Sequence, residues 1–200
     1  MIATFEQGGW VLVVIAALSL AAWTVLIWTW LDLRARTAGG GRWVARALEA
    51  LRRGQPQSVD AACADAGGLL ADLLRLGARL PDRERDVYQA QLMPLWRSEE
   101  TTLRRPLSLV AVSATVLPLL GLLGTVLGMV QTFAVITRRG VPDVGSLADG
   151  VSQALITTQA GLVVAVPILL AHGYLASRVQ RHLDHAALLI KKIETICCED

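Results

Sequence analysis

The chain has 200 residues, room for one domain or a small helical bundle, and its 54% hydrophobic content is too high for an ordinary soluble domain. The net charge of +2 says nothing about nucleic acid, but Arg and acidic residues alternate through residues 32–105, which indicates a solvated helical surface rather than a basic patch, and no nucleic-acid partner is expected. No nucleophile constellation, cofactor motif or metal-ligand set stands out, so neither an enzyme nor a solute transporter is expected.

The first uncharged run, residues 10–31, is 22 residues long, enough to cross a bilayer core of about 30 Å at about 1.5 Å per residue. It has no basic leader and exceeds the signal-peptide core of about 7–15 residues, so it is expected to persist as a span. Trp10 at one end, with Trp28 and Trp30 at the other, suits interfacial anchoring. Residues 32–105 lack strand-like alternation and are predicted to be helices broken at Gly39, Gly40, Gly41, Gly54, Pro56, Gly67, Gly68 and Pro81. Trp43, Ala47, Leu48 and Leu51 recur at helical spacing. Pro81 and Asp82 suit a helix start, with that helix running toward the second span through breaks near Pro94 and Pro106. This region can form only a small core and is expected to pack on helix extensions or neighbouring subunits.

The second and third runs, residues 106–137 and 150–177, are longer than a bilayer requires and must tilt or project. Beyond them, Val179, Leu183, Ala186, Ala187, Ile190 and Ile193 make the stripe of an amphipathic helix that continues the third span and needs a partner. The predicted fold class is therefore all-α integral membrane, with three transmembrane helices and long cytoplasmic helical extensions. Thirteen of the 19 Lys and Arg fall in residues 32–105 and four after residue 177, which puts both segments in the cytoplasm. Residues 1–9 and the loop 138–149 are then periplasmic, with Arg138 and Arg139 outvoted. Cys63, Cys197 and Cys198 are expected to be free thiols in a reducing compartment, with no metal bound.

Two span faces carry the functional signal. Gly121, Gly124, Thr125, Gly128 and Thr132 fall within a helical sector of about 100°, joined by Ala114 and Pro118. Gly124 and Gly128 permit close backbone approach, while Leu119, Leu123, Val126 and Val130 occupy the opposite, lipid-suited side. In the third span Thr158 shares a face with Ala154, Gly161, Ala165 and His172, and Gln153 and Thr157 make a second polar strip. These faces suit helix packing, a polar pore lining, or both. Thr125 and Thr158 are expected within roughly 6 Å of one depth. None of the three runs contains Asp, Glu, Lys or Arg. Proton relays through membranes need a titrating group at depth, so any such group must come from a partner. His172 is expected to be an interfacial histidine bonded to a backbone carbonyl. His182, Asp184 and His185 are expected on a solvated tail helix rather than at a metal.

The stretch Gly121-Leu122-Leu123-Gly124-Thr125-Val126-Leu127-Gly128-Met129, with the preceding Pro118, resembles the MotA/TolQ/ExbB family. So does Ala154-Leu155-Ile156-Thr157-Thr158-Gln159-Ala160-Gly161-Leu162-Val163-Val164-Ala165-Val166-Pro167. The likeness runs from about Leu103 to His185 and is greatest to the ExbB branch, with TolQ second. It implies a homopentamer around the membrane helices of an ExbD-like dimer that supplies the membrane Asp. It also implies a TonB-like protein that carries the motion to outer-membrane importers. On this likeness Thr125 and Thr158 line the pore, with Gln153 and Thr132 nearby on the proton pathway. Gly121, Gly124, Gly128, Gly161, Ala165, Pro118 and Pro167 pack helices. Many members carry Glu where this chain has Gln153, and an amide does not titrate. Some shorter members carry Gln there, which suggests a second TonB-type system. A TolQ-like subunit of an envelope system and a non-conducting scaffold are the alternatives.

Overall fold

The computed structural model describes residues 9–37, 42–64, 66–80, 85–139 and 144–198. The Gly39, Gly40 and Gly41 break and the Pro81–Asp82 helix start lie outside these residues. Among them the regular elements are all helices: α1 Gly9–Thr37, α2 Arg42–Arg52, α3 Pro56–Ala62, α4 Leu69–Arg79, α5 Arg85–Arg139 and α6 Val144–Cys198. Three stretches, Trp10–Thr37, Arg85–Ala134 and Gly150–Cys198, are long and apolar enough to cross a membrane.

The breaks expected near Pro94 and Pro106 do not occur, because α5 is continuous through both prolines and through Pro118. A proline keeps a helical φ but removes one backbone hydrogen bond, at a cost of about 3 kcal/mol in an unsupported helix. Each of these prolines is flanked by buried turns: Tyr88 and Leu92 before Pro94, Leu103 and Leu107 around Pro106, Ala114 and Leu117 before Pro118. Packing of those turns holds the helix across the missing bond. Pro167 is likewise inside α6.

The chain divides into two compact units, each drawing on α1, α5 and α6. Unit one contains residues up to Ile27 together with Leu107–Tyr174. In α1, Val11, Leu12, Ile15, Ala22 and Leu26 recur at three-, four- and seven-residue intervals and are buried. Leu107, Val110, Ala114, Leu117, Ala154, Ala165 and Ile168 are buried with them. The outward faces are apolar too. Leu119, Leu123, Val126 and Val130 are exposed, as are Leu155, Leu162, Val163 and Val166. Surfaces of that kind require lipid or another subunit.

Unit two contains Trp28–Pro106 and Leu175–Asp200. Its core joins Ala47 and Leu51 of α2, Val59 of α3, Leu69, Leu73 and Leu74 of α4, Tyr88 and Leu92 of α5, and Leu189, Ile190 and Ile193 of α6. The amphipathic stripe thus finds its partner within the chain, in the short helices of residues 42–79. Gly54, with φ of +66°, ends α2 in the left-handed region, and Pro56 opens α3 where its missing N–H costs nothing. Gly77 lets α4 approach α6 so closely that an added Cβ would lie 2.7 Å from Ile193 Cγ2. Cys63 is buried in this core, and burial pushes its thiol pKa up, which keeps it protonated. His182 corrects an expectation: it is 6% exposed rather than solvated, because the α6 stripe that faces α5 includes it beside Leu183 and Val179.

Candidate functional site

The α5–α6 contact in unit one is built by removing side chains. Gly161 sits where a Cβ would lie 2.7 Å from the Leu117 carbonyl oxygen and 3.3 Å from Gly121 Cα. A Cβ on Gly121 would lie 3.0 Å from Thr158 Cα, and one on Gly124 would lie 2.8 Å from Thr157 Cβ. Gly128 faces Ala154, whose Cβ is 3.1 Å from the same hypothetical position. Gly150 closes the series against Thr132. The two helices therefore approach closely over about four turns, backbone to backbone at Gly121 and Gly161 and backbone to small side chain at Gly124, Gly128 and Gly150; an apolar bilayer rewards such contact through dispersion rather than hydrophobic expulsion.

This seam sets the register of the polar residues. Gly121 meets Thr158 and Gly124 meets Thr157. Thr125 and Thr158 consequently differ in depth by roughly 3–6 Å at about 1.5 Å per residue. Thr158 is half-buried, and its hydroxyl donates across the seam to the Gly121 carbonyl at 2.9 Å. The other three hydroxyls bond within their own helices. Thr125 donates to Leu122 O at 2.7 Å, Thr132 to Gly128 O at 2.8 Å, and Thr157 to Ala154 O at 2.7 Å. Each oxygen keeps lone-pair capacity for a further donor.

Thr132 is buried with Thr157, whereas Thr125 and Gln153 remain half-buried. Thr125 thus presents a polar atom beside the apolar Leu122 and Val126. Of the residues expected to pack, Gly121, Gly124, Gly161 and Ala165 are buried and Gly128 and Pro118 half-buried. Pro167 is exposed, so its ring faces away from the packed side of this chain. The glycine sector faces the chain's own third span. Thr157 is the buried residue that the sequence reading placed in a side strip. Its signal was the spacing Ala154, Thr157, Gly161, Ala165, Ile168, which is one continuous packed face. His172 is half-buried. Among the described residues no group of His, Cys, Asp and Glu is arranged to hold a metal ion.

Known proteins share this region. The profile of the MotA/TolQ/ExbB proton channel family matches residues 68–187, which include the whole seam. A putative biopolymer transport protein ExbB homolog of Methanothermobacter thermautotrophicus is 31% identical over 146 residues, covering 72% of this chain and 48% of that protein. Biopolymer transport protein ExbB of Aquifex aeolicus is 36% identical over 84 residues, covering 42% of this chain and 57% of the relative. The Tol-Pal system protein TolQ of Haemophilus influenzae is 33% identical over 81 residues, covering 40% of this chain and 36% of the relative. The chain spans about half the length of the first two relatives. With the family profile covering more than half of the chain, and with three helices of membrane-crossing length and apolarity, this multi-pass membrane protein belongs to the MotA/TolQ/ExbB proton channel family.

Proposed function

We propose that the chain is an ExbB-like scaffold subunit of a proton-driven motor in the bacterial inner membrane. It works with an ExbD-like single-span protein and a TonB-like protein to energise import through outer-membrane transporters. The subunit forms a homo-oligomer, a pentamer on the family pattern. Its N-terminus is periplasmic, and residues 32–105 and 178–200 are cytoplasmic, as the Arg and Lys distribution favours. The observation that carries the reading is chemical. Two spans hold hydroxyls at like depth on a rigid backbone seam, yet none of residues 10–31, 106–137 or 150–177 is Asp, Glu, Lys or Arg. Such a subunit can solvate and position a proton carrier but cannot be one. The exposed apolar faces of unit one leave room for lipid and for further subunits.

The test separates a pathway residue from a packing residue. Thr125→Val removes a hydroxyl that bonds only within its own turn. It should leave assembly on native gels unchanged while proton-motive-force-dependent siderophore uptake collapses. Thr158→Val also removes the bond to Gly121 O, worth about 0.6–2 kcal/mol, so assembly is scored alongside uptake. Wild-type uptake in an assembled double variant would refute the pathway assignment.

The TolQ relative supports a second reading, a subunit of an envelope-maintenance system. Restoration of detergent resistance in cells lacking their own TolQ, without restoration of siderophore uptake in cells lacking ExbB, would select it.

A further inference from the structure

A buried polar cluster in unit two plays no part in the function proposed above. α1 contributes Asp32 and Arg36, α5 contributes Glu99 and α6 contributes His182. Arg36 Nε donates to Asp32 Oδ2 at 2.9 Å, and its Nη1 donates to Glu99 Oε2 at 2.7 Å. One guanidinium thereby ties α1 to α5. The second oxygen of Glu99, Oε1, faces His182 Nε2 at 3.8 Å. Both atoms are buried, and neither finds a hydrogen-bond partner among the described residues. The side chains are 11% and 6% exposed, so bulk water does not solvate them freely.

The separation is about 1 Å beyond hydrogen-bond length. The surrounding contacts hold the two helices at this spacing. Trp96 Nε1 donates to Leu183 O at 3.0 Å, one residue along α6 from His182. At the exposed edge Arg104 donates to Gln180 Oε1 and pairs with Glu100, while Gln180 Nε2 donates to Asp184 Oδ1. Those polar groups engage one another. Among the described contacts the charge that faces His182 is Glu99 from α5, with Arg36 and Asp32 of α1 bonded behind it. The neutral ring offers Nε2–H in only one tautomer; a second proton makes both ring nitrogens donors and puts a cation beside Oε1. The resulting bond is charge-assisted and stronger than a neutral one.

We propose that His182 and Glu99 form a proton-operated clamp, in which protonation of His182 locks α6 to α5 and, through the Glu99–Arg36 ion pair, to α1. The proton comes from solvent and returns to it, with no other bond made or broken. Glu99 stays ionised through the working range, because His182 lowers its carboxyl pKa, as does Arg36, against the opposing effect of burial. A base that gains its partner on folding contributes stability that is present at low pH and lost as the pH rises.

The experiment uses the full chain in detergent micelles. Wild type should melt about 3 °C higher at pH 5.5 than at pH 7.5. His182→Gln, which keeps a neutral donor, and Glu99→Gln should each flatten that difference, and His185→Gln, at an exposed position of α6, should keep it. A His182→Gln variant with the wild-type pH dependence overturns the clamp. If that variant does not fold, the chain carrying His172→Gln and His185→Gln leaves one histidine ring to follow by NMR, since the sequence has three. That ring should titrate in step with a shift of the Trp96 indole N–H. A ring that stays neutral down to pH 5.5 overturns the proposal.

Discussion

The two units solve the problem of joining α5 to α6 in opposite ways. Unit one brings backbones together by leaving out side chains at Gly121, Gly124, Gly128 and Gly161, and its large apolar residues point outward. Unit two interleaves large side chains inward, with Leu73, Leu74, Leu92, Leu183, Ile190 and Ile193 fully buried, and adds ion pairs among its polar groups. The difference is the one that lipid around unit one and water around unit two, as proposed above, would favour. Where lipid surrounds a helix, expelling apolar surface yields nothing, and close contact between small residues is what remains. Where water surrounds it, burying Leu and Ile yields about 1.5–3 kcal/mol per side chain.

The sharpest way to break this comparison is a side chain in the backbone seam. Gly161→Leu places carbon where the Leu117 carbonyl already sits, and neither backbone can yield locally. The expected cost is on the order of 3 kcal/mol or more, read as loss of the folded chain in a detergent melt. Normal melting would mean that the seam is loose and that the contrast between units is overstated.

Gly77→Ala is the matching insult in unit two. Its new methyl would also lie 2.7 Å from an existing atom, but that atom is the Ile193 Cγ2 methyl rather than backbone. The cost should be smaller, about 1–2 kcal/mol. It should also be partly relieved in the double variant with Ile193→Ala, so that the double-mutant cycle is non-additive. Strict additivity would show that Gly77 is held by something other than this contact.

Glu99→Gln probes the ion pair, with an expected loss of about 1–2 kcal/mol at neutral pH. The carboxyl pKa is lowered in the folded chain, so its contribution is fully present above the ordinary glutamate value of about 4.3 and disappears as pH falls through the lower folded value. Denaturant titrations from pH 6 down to pH 3 should show wild type losing stability that the variant never had. Parallel curves would place Glu99 outside the energetics of unit two.

Much of unit one was legible in one dimension. A run of 22 uncharged residues and two longer ones announce helices of membrane length. Glycines at 121, 124 and 128 announce a close approach, since few other uses of three glycines on one apolar face exist. What they approach was not legible, because helical periodicity identifies a face and never its partner. The same blindness hid Thr157, which shares a span with Gln153 and Thr158 and differs from them only in what α5 places opposite. Unit two was less legible still. Arg36 and Glu99 lie 63 positions apart, and Trp96 bonds a carbonyl 87 positions away. Helical spacing puts His182 in the sector of the apolar α6 stripe and His185 outside it, but the carboxylate that His182 meets is on another helix.

The sequence alone therefore determined the helices, their apolar lengths, the family motif and the absence of a charged residue from the spans. These depend on residue type and on spacing along a helix of about 3.6 residues per turn, which any single segment carries within itself. Only the tertiary structure decided that α5 runs unbroken through its prolines, that the glycine seam closes on α6 of the same chain, and that His182 is buried against Glu99. Each of those outcomes depends on the free energy of contacts between distant segments. In each case the contact outweighs, or is invisible to, the local preference at the residue concerned.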